Sequence, residues 1–203
     1  MTSGAERPIV VAITGASGAP YAVRLLQALV ERGHRVSLIV SDHGVRLLQT
    51  ETDIPSVDAL REHVGAAHWD AVVRVYDDRD RGAAPASGSA LSAGMVICPC
   101  SMGTMSAIAV GASRSLVERA ADVTLKERRR LVLVPRESPY SAIHLENMLS
   151  LTRAGAVILP ASPGFYHRPR TIGDLVDFVV ARVLDQLGVE QSLVPRWGSE
   201  AGE

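Results

Sequence analysis

The chain has 203 residues, of which 47% are hydrophobic, and its 21 lysines and arginines nearly balance 22 aspartates and glutamates. This length and apolar content suit one well-buried domain over residues 1–203, and the balanced charge argues against a basic nucleic-acid surface. Only 4% of the residues are aromatic, which leaves few rings for stacking on single-stranded nucleic acid. We therefore expect one globular domain that binds no nucleic acid.

Short apolar runs typical of strands recur along the chain, and segments of helical periodicity separate most of them. The runs cover residues 9–14, 35–40, 71–75, 95–99, 131–135 and 156–159. The clearest helical segments cover residues 21–31, 116–128 and 171–187, the last with Thr171 and Asp174 placed as a capping pair. This alternation predicts the α/β fold class, a single-domain doubly wound parallel sheet of Rossmann or flavodoxin-like type with helices on both faces.

Three connecting segments stand out by composition. Residues 76–94 are rich in Asp, Arg, Gly, Ala, Pro and Ser and predict a long loop without secondary structure, a kind of loop that is usually functional. Residues 163–169 combine prolines, a glycine and Tyr166, the composition of a lid or ligand clamp. Residues 189–203 form a tail with Trp197, which we expect to dock on the body or on a neighbouring subunit.

The sequence indicates neither a membrane nor a metal. No apolar run approaches the length that spans a bilayer, and residues 1–7 lack the features of a signal peptide, so we expect a cytoplasmic protein. Cys98 and Cys100 stand two apart on an apparent buried strand, so their two side chains would face the same side of the sheet. A disulfide between them would be strained, and we expect both to be core residues. Two thiols do not make a zinc site, and His144, on a predicted helix face, has no second ligand at suitable spacing.

The first strand leads directly into a small turn, Gly15-Ala16-Ser17-Gly18, ahead of the helix at 21–31. Glycines let the backbone approach an anion, Ser17 adds a hydroxyl donor, and a helix N-terminus favours negative charge. The turn lacks the full dinucleotide fingerprint, and no acidic residue ends the second strand. It therefore favours a mononucleotide or phosphate ester, while an ordinary strand-to-helix turn without a ligand stays open.

In a doubly wound sheet, ligands bind beyond the carboxyl ends of the strands. The candidate residues that follow the strands are Gly15, Ala16, Ser17, Ser41, Ser101, Thr104, Arg136, Glu137 and Tyr166. Ser101 and Thr104 either bond a phosphate or flavin edge or simply cap a helix. Arg136 beside Glu137 suits a phosphate next to a proton-transfer group, with a surface ion pair as the alternative.

Two groups of cations lie on or near the helix predicted at 116–128. Arg119 and Lys126 are seven residues apart, so they project from nearly the same helix face and predict a shared cationic patch. The three arginines at 128–130 are interpreted instead as a solvated helix end, favoured by the helix dipole.

Several sequence blocks follow one another along nearly the full length of the chain. They are Thr14-Gly15-Ala16-Ser17-Gly18-Ala19, Glu51-Thr52-Asp53, Pro85-Ala86-Ser87-Gly88-Ser89, Cys98-Pro99-Cys100-Ser101, Glu118-Arg119-Ala120-Ala121-Asp122-Val123, Leu125-Lys126-Glu127-Arg128-Arg129, Pro135-Arg136-Glu137, Gly164-Phe165-Tyr166-His167 and Arg196-Trp197. Together they resemble the UbiX-type flavin prenyltransferases, formerly classed as the flavoprotein subunit of aromatic-acid decarboxylases. The resemblance implies a metal-independent transfer of the dimethylallyl group of dimethylallyl monophosphate to N5 and C6 of reduced FMN. The product, prenylated FMN, would then serve a UbiD-type decarboxylase.

The resemblance also implies a role for individual residues. It assigns FMN binding to Gly15, Ala16, Ser17, Ser41, Ser101, Met102, Gly103, Thr104 and Arg136. It assigns dimethylallyl monophosphate to Tyr166 and Arg182, and it assigns the catalytic roles to Glu137, Lys126, Arg119 and Glu51. The assembly it implies is a homo-oligomer, a dodecamer, with the site shared between subunits.

Two alternatives stay open. An FMN-dependent cysteine decarboxylase would share the sheet and the flavin site, but its Pro-Ala-Ser motif continues with an asparagine, whereas Pro85-Ala86-Ser87 runs into Gly88-Ser89. A non-catalytic FMN carrier needs no second anion site, so the cations and Tyr166 assigned to the second substrate would have no reason to converge.

Overall fold

The computed structural model describes residues 7–195, and its centre is a six-stranded parallel sheet. The strands are β1 (Ile9–Ile13), β2 (Val36–Val40), β3 (Val73–Asp77), β4 (Gly94–Cys100), β5 (Leu131–Pro135) and β6 (Val157–Ile158). Their order across the sheet is β3-β2-β1-β4-β5-β6, and each neighbouring pair is parallel. All six predicted strands are present, and the predicted doubly wound α/β fold is confirmed.

Eight α-helices within residues 7–195 lie after the last strand and in every connection between strands except β3–β4. They are α1 (Ala19–Glu31), α2 (Asp42–Thr52), α3 (Val57–Val64), α4 (Ala66–Val72), α5 (Met102–Ala109), α6 (Leu116–Lys126), α7 (Ala142–Arg153) and α8 (Ile172–Leu187). Within residues 7–195, none of them is long and apolar enough to cross a membrane. The segment 76–94 is not wholly irregular as predicted, because β3 continues to Asp77 and Ala84–Ala86 form a turn of 3₁₀ helix.

The predicted helices at 21–31 and 116–128 are confirmed as α1 and α6, with different ends. α1 begins two residues early, because Pro20 is tolerated in the first turn of a helix. α6 ends two residues early, because Arg128 has a φ of 56° and so leaves the helical conformation.

The predicted capping pair of α8 is also confirmed. Thr171 Oγ1 accepts from the Asp174 backbone N–H at 3.1 Å, and the Asp174 carboxylate accepts from the Thr171 N–H at 3.0 Å. This reciprocal arrangement satisfies two backbone donors that a helix start leaves unpaired, so α8 begins at a defined residue.

An apolar cluster covers each face of the sheet. One cluster packs α1 to α4 and α8 against one face, and the other packs α5, α6 and α7 against the opposite face. Every residue of β1, β4 and β5 is buried, because helices cover these central strands on both sides.

Cys98 and Cys100 are free and buried, as predicted, but they face opposite sides of the sheet. The register of β4 against β5 shifts between Ile97 and Cys100, so strict alternation of side chains fails there. The predicted common orientation is therefore wrong. Burial raises the pKa of the Cys98 thiol to about 12, which keeps it protonated and unreactive.

The tail turns back onto the body after α8. Val189 is buried, Leu193 packs against the cluster that includes α8, and Arg32 Nη2 donates to Ser192 Oγ at 3.3 Å. Residues 189–195 thus dock on the chain itself, whereas Trp197 lies outside the described residues.

The strand order reverses between β1 and β4, so the connections that follow these two strands leave on opposite faces. Thr14 ties the two strand ends together. Its Oγ1 donates to the Pro99 carbonyl and accepts from the Ser101 N–H, both at 2.9 Å. The strand reversal therefore places the expected ligand crevice at the carboxyl edge of the sheet, between the turn after β1 and the start of α5.

Candidate active site

The turn after β1 packs closely against the start of α2. A Cβ at Gly15 would lie 2.6 Å from the Cβ of His43, and one at Gly44 would lie 2.5 Å from the Ile13 carbonyl oxygen. Ser41 caps α2, with its Oγ accepting from the Gly44 N–H at 3.1 Å. The turn and the start of α2 therefore pack with backbone against backbone or Cβ, and the Ser41 hydroxyl beside them keeps its hydrogen available for donation.

The N-terminal end of α1 faces a carboxylate of the chain itself. Glu51 Oε2, carried by α2, accepts from the backbone N–H groups of Gly18 and Ala19, both at 2.8 Å. Burial raises the pKa of Glu51, but these hydrogen bonds and the nearby charge of Arg136 outweigh it and leave the pKa below the usual glutamate value. The prediction that this helix end faces a bound anion is therefore corrected, because Glu51 takes that place.

We expect Glu51→Gln to lower the free energy of unfolding by about 1 kcal/mol at neutral pH, since a neutral amide oxygen accepts these two N–H groups more weakly. Because the folded-state pKa is lowered, the carboxylate stabilises the fold above the usual pKa of 4.5, and this stabilisation disappears as the pH falls through the folded-state value. Urea unfolding of the parent and of Glu51→Gln, at neutral pH and in acid, measures this difference in the free energy of unfolding. The matched control is Glu146→Gln on the exposed face of α7. A deficit of the same size at both pH values would contradict the argument.

The start of α5 differs from that of α1. Ser101 Oγ accepts from the Thr104 N–H at 3.2 Å and donates to Thr104 Oγ1 at 3.0 Å, which confirms the predicted alternative of a helix cap. The N–H groups of Met102 and Gly103 belong to the first turn, where a helix provides no partner within itself, and the Thr104 hydroxyl can still donate. This end of the crevice can therefore receive an external anion.

Arg136 and Glu137 follow β5 at the same edge of the sheet. Arg136 Nε donates to the Ser17 carbonyl at 3.2 Å and so reaches the turn after β1. Glu137 is half-buried and accepts from the Ser138 N–H at 3.1 Å. No ion pair joins Arg136 to Glu137 among the described residues, so the surface ion-pair alternative is not what forms here.

Arg119 and Lys126 each have a carboxylate partner. Arg119 Nη1 lies 2.9 Å from Asp122 Oδ2, and the Lys126 ammonium pairs with Glu127. Each of the two cations thus has a carboxylate beside it in the unliganded chain, and the shared cationic patch stays a prediction. The Lys126 ammonium also lies against Gly88, where a Cβ would be only 2.9 Å from Nζ.

The prediction of a solvated end at residues 128–130 is wrong for the middle arginine. Arg128 and Arg130 are exposed, but Arg129 is half-buried. Its Nη1 donates to the Ala90 carbonyl at 2.9 Å and its Nη2 to the Gly88 carbonyl at 2.6 Å. Sequence analysis missed this residue, because a run of three identical side chains carries no signal of which one turns inward.

Tyr166 and Arg182 line one cavity of about 670 Å³, between residues 163–169, α8 and the tail. Arg182 Nη1 lies 2.7 Å from Asp185 Oδ2, and Tyr166 is 61% exposed with its ring edge-on to Phe178. The structure brings these two predicted substrate residues together. Among the described residues that line the cavity, however, none belongs to the crevice.

His167 forms part of the same aromatic group. Its ring stacks on Phe178, with 5.1 Å between centroids and 10° between planes. Both ring nitrogens are buried and have no hydrogen-bond partner within residues 7–195. A buried polar atom without a partner is costly, so a group from outside this range would stabilise the loop.

The described chain offers no obvious metal centre. Between residues 7 and 195, no three His, Cys, Asp or Glu side chains come together in a way that could hold a metal ion. His144 lies on a helix as predicted, in the first turn of α7, where its Nδ1 accepts from the Ser141 N–H at 3.2 Å.

Known proteins resemble this chain in sequence and in fold. The family model described as Flavoprotein matches residues 2–184. A flavin prenyltransferase UbiX of Pseudomonas aeruginosa is 55% identical, over 98% of this chain and 97% of its own length. The chain belongs to the UbiX family of flavin prenyltransferases. The resemblance inferred from the sequence blocks is thereby confirmed.

Solved structures of UbiX-like proteins share the whole fold. AnUbiX (PadA1), in complex with FMN and dimethylallyl pyrophosphate, is 42% identical with a TM-score of 0.88, over 96% of this chain and 99% of its own. A dodecameric, FMN-dependent UbiX-like decarboxylase from Escherichia coli O157:H7 is 43% identical with a TM-score of 0.86, over 95% and 100% of the two chains.

Proposed function

We propose that this protein is a flavin prenyltransferase that joins the dimethylallyl group of dimethylallyl monophosphate to N5 and C6 of reduced FMN. The observation that carries the proposal is the presence, in a UbiX-family chain, of two distinct sets of anion-binding groups. One set is assigned to the crevice at the strand reversal. The other is Arg119 and Lys126 on α6 together with Arg182 on α8, and because these helices cover opposite faces of the sheet, the three cations would meet only between neighbouring copies. A flavin carrier would need only the first. The product would be prenylated FMN, released to a UbiD-type decarboxylase.

Reduced FMN fits the crevice by the chemistry of its donors. The residues that would hold it are Gly15, Ala16, Ser17, Ser41, Ser101, Met102, Gly103, Thr104 and Arg136. Close packing of Gly15 on His43 fixes the turn that would lie beside the flavin, and the first-turn N–H groups of α5 suit a phosphate. When bound, reduced FMN supplies the electron-rich N5 and C6 atoms.

The second set would act on the allylic phosphate. In this proposal Lys126 and Arg119 compensate the charge that grows on the phosphate as its bond to carbon breaks. Glu137, half-buried at the end of β5, accepts or donates the proton. Glu51, whose lowered pKa keeps it ionised, holds the turn before α1 and is not the proton donor.

We also propose that Tyr166 and Arg182 complete the crevice of a neighbouring copy in a homo-oligomer, a dodecamer by analogy with the Escherichia coli relative. Three observations support this. The cavity of Tyr166 and Arg182 is lined by none of the described crevice residues, Tyr166 is 61% exposed, and the buried His167 nitrogens lack a partner within residues 7–195. A second copy could supply what a single chain does not.

The decisive experiment is anaerobic incubation of the protein with reduced FMN and dimethylallyl monophosphate, followed by mass measurement of the extracted flavin. We expect the flavin to gain the mass of one dimethylallyl group less one proton. Tightly bound but unaltered FMN would overturn the proposal in favour of a carrier. Release of carbon dioxide from a peptide with a C-terminal cysteine would favour the cysteine decarboxylase alternative.

We expect Gly15→Ala to weaken FMN binding about tenfold or more, because the new Cβ would lie 2.6 Å from the His43 Cβ and force the crevice wall to move. Titration calorimetry with FMN measures this. The second change His43→Gly removes the clashing atom and should restore most of the affinity. Gly173→Ala, where the nearest atom would be 3.4 Å away, is the matched control. Failure of His43→Gly to rescue would mean that the contact is not the cause.

A further inference from the structure

The loop at residues 85–90 is fastened to the end of α6 by one guanidinium. Arg129 donates from Nη1 to the Ala90 carbonyl and from Nη2 to the Gly88 carbonyl, at 2.9 and 2.6 Å. The two bonds reach carbonyls two residues apart in the loop, and the planar, rigid guanidinium makes both at once with fixed geometry. Arg129 is half-buried between two exposed arginines, so this arrangement is particular to it.

The loop does not need Arg129 in order to form its turn. Its own backbone bonds, from Ala86 N–H to Ala83 and from Ser87 N–H to Ala84, are 2.9 and 3.0 Å long and close the 3₁₀ turn locally. Ala86 is buried in the apolar cluster that includes α6, which seats the turn, and what Arg129 adds is the attachment of residues 88–90 to the end of α6.

That attachment presses Gly88 against the Lys126–Glu127 ion pair. A Cβ at Gly88 would lie 2.3 Å from Glu127 Oε1 and 2.9 Å from Lys126 Nζ, so backbone alone fits there. The Lys126 ammonium is therefore confined between Glu127 on its own helix end and the Gly88 backbone. If the loop moved away, the 49% exposed Lys126 side chain would gain freedom to reorient in solvent.

We propose that Arg129 is a positioning residue for the allylic phosphate site, acting through the loop on Lys126. By holding the Gly88 and Ala90 carbonyls, it keeps the Gly88 backbone against the Lys126 ammonium and so limits the positions that this ammonium can take. The inference rests on the proposed function insofar as that function makes Lys126 the cation for the leaving phosphate. A displaced charged group of this kind costs roughly tenfold to a hundredfold in binding or rate.

The first measurement is titration of dimethylallyl monophosphate into the full chain loaded with oxidised FMN, whose electron-poor N5 is not nucleophilic enough to react with the ester. We expect Arg129→Gln to raise the dissociation constant of the ester about tenfold. In Arg129→Lys the dissociation constant of the ester should lie between those of the parent and Arg129→Gln. The ammonium keeps the charge, but its flexible stem does not fix both carbonyls as the planar guanidinium does. Arg130→Gln and Arg130→Lys are the matched controls, since Arg130 contacts Gln186 and not the loop. The FMN dissociation constant should stay at the parent value in all four variants, and the melting temperature should stay at the parent value in the two Arg130 controls.

The second measurement uses the fact that Lys126 is the only lysine in the sequence. An amine-reactive reagent therefore labels one side chain, with the N-terminal amine as internal reference. We expect Arg129→Gln to increase the labelling rate of Lys126 about threefold or more relative to that reference, because the Gly88 backbone no longer confines it. In a Lys126→Ala background, Arg129→Gln should change ester affinity by less than about twofold, which an independent structural role would not predict.

Each result decides the matter. Parent-like ester affinity and labelling in Arg129→Gln would overturn the inference, as would full additivity with Lys126→Ala or an equal loss of FMN affinity. If the parent binds the ester but forms no prenylated flavin, the proposed function fails while these comparisons still test Arg129. A parent that binds no ester overturns both.

Discussion

Lys126→Ala and Glu137→Gln should each slow formation of prenylated FMN about a hundredfold or more, while the FMN dissociation constant stays within about twofold of the parent value. Lys126 lies at the end of α6 against Gly88, away from the turn at Gly15, and within residues 7–195 the hydrogen bond of Glu137 is to its neighbour Ser138. Neither change therefore removes a donor that we assign to FMN. Single-turnover prenylation under anaerobic conditions, followed by flavin absorbance and mass, measures the rate.

The controls remove the same charges elsewhere. Arg153→Ala takes a cation from the exposed end of α7, and Glu146→Gln neutralises an exposed carboxylate on the same helix. Both should react at the parent rate. Parent rates in Lys126→Ala and Glu137→Gln as well would show that the phosphate and the proton are handled by other residues, even in an active enzyme.

The strands could be predicted because a parallel sheet covered on both faces needs continuous apolar runs. β1, β4 and β5 are buried at every position, so their boundaries in the sequence are sharp. Alternation with helical segments then implies crossovers, and crossovers imply a doubly wound sheet. The common orientation of Cys98 and Cys100 failed at the one place where β4 shifts register, which no periodicity in the sequence announces.

Only some of the residues assigned to the crevice could be predicted from the sequence pattern. Small and hydroxyl residues after β1, β2 and β4 predicted an anion site, because strand ends converge at one edge of the sheet. The position of Glu51 could not be foreseen, since it meets Gly18 across 33 residues of sequence. Met102, Gly103 and Arg182 carry no local signal of function, and only the resemblance assigned them.

The three arginines at 128–130 show that the sequence pattern also fails to predict contacts between segments that depend on local backbone conformation. Three identical side chains gave one interpretation, a solvated helix end, whereas a φ of 56° at Arg128 reverses the backbone and turns Arg129 toward the loop. The backbone conformation at Arg128 thus decides whether Arg129 is a solvated charge or a half-buried donor to the loop. Composition and periodicity do not contain that angle.

Mixing two inactive variants should restore activity if Tyr166 and Arg182 serve a neighbouring copy. Glu137→Gln damages the crevice of its own chain, and Arg182→Ala damages what that chain contributes to its neighbour. In a random mixed oligomer, about a quarter of the sites combine an intact crevice with an intact neighbouring Arg182. We therefore expect the mixture, prepared by co-expression with two different tags and purified over both, to recover about a quarter of parent activity from variants that are each nearly inactive.

The control mixture pairs Glu137→Gln with Arg136→Ala, two changes at the same end of β5. Arg136 bonds the Ser17 carbonyl of its own chain, so every crevice in that mixture carries one defect and activity should not return. Mass photometry establishes in parallel that both mixtures contain oligomers of both tags. If the Glu137→Gln and Arg182→Ala mixture performs no better than the mean of its parts, Arg182 acts within its own chain or outside the reaction, and the shared site is wrong. We expect activity to return in the mixture of Glu137→Gln with Arg182→Ala and not in the control mixture. This result requires that the cavity of Tyr166 and Arg182 on one copy meets the crevice of a neighbouring copy.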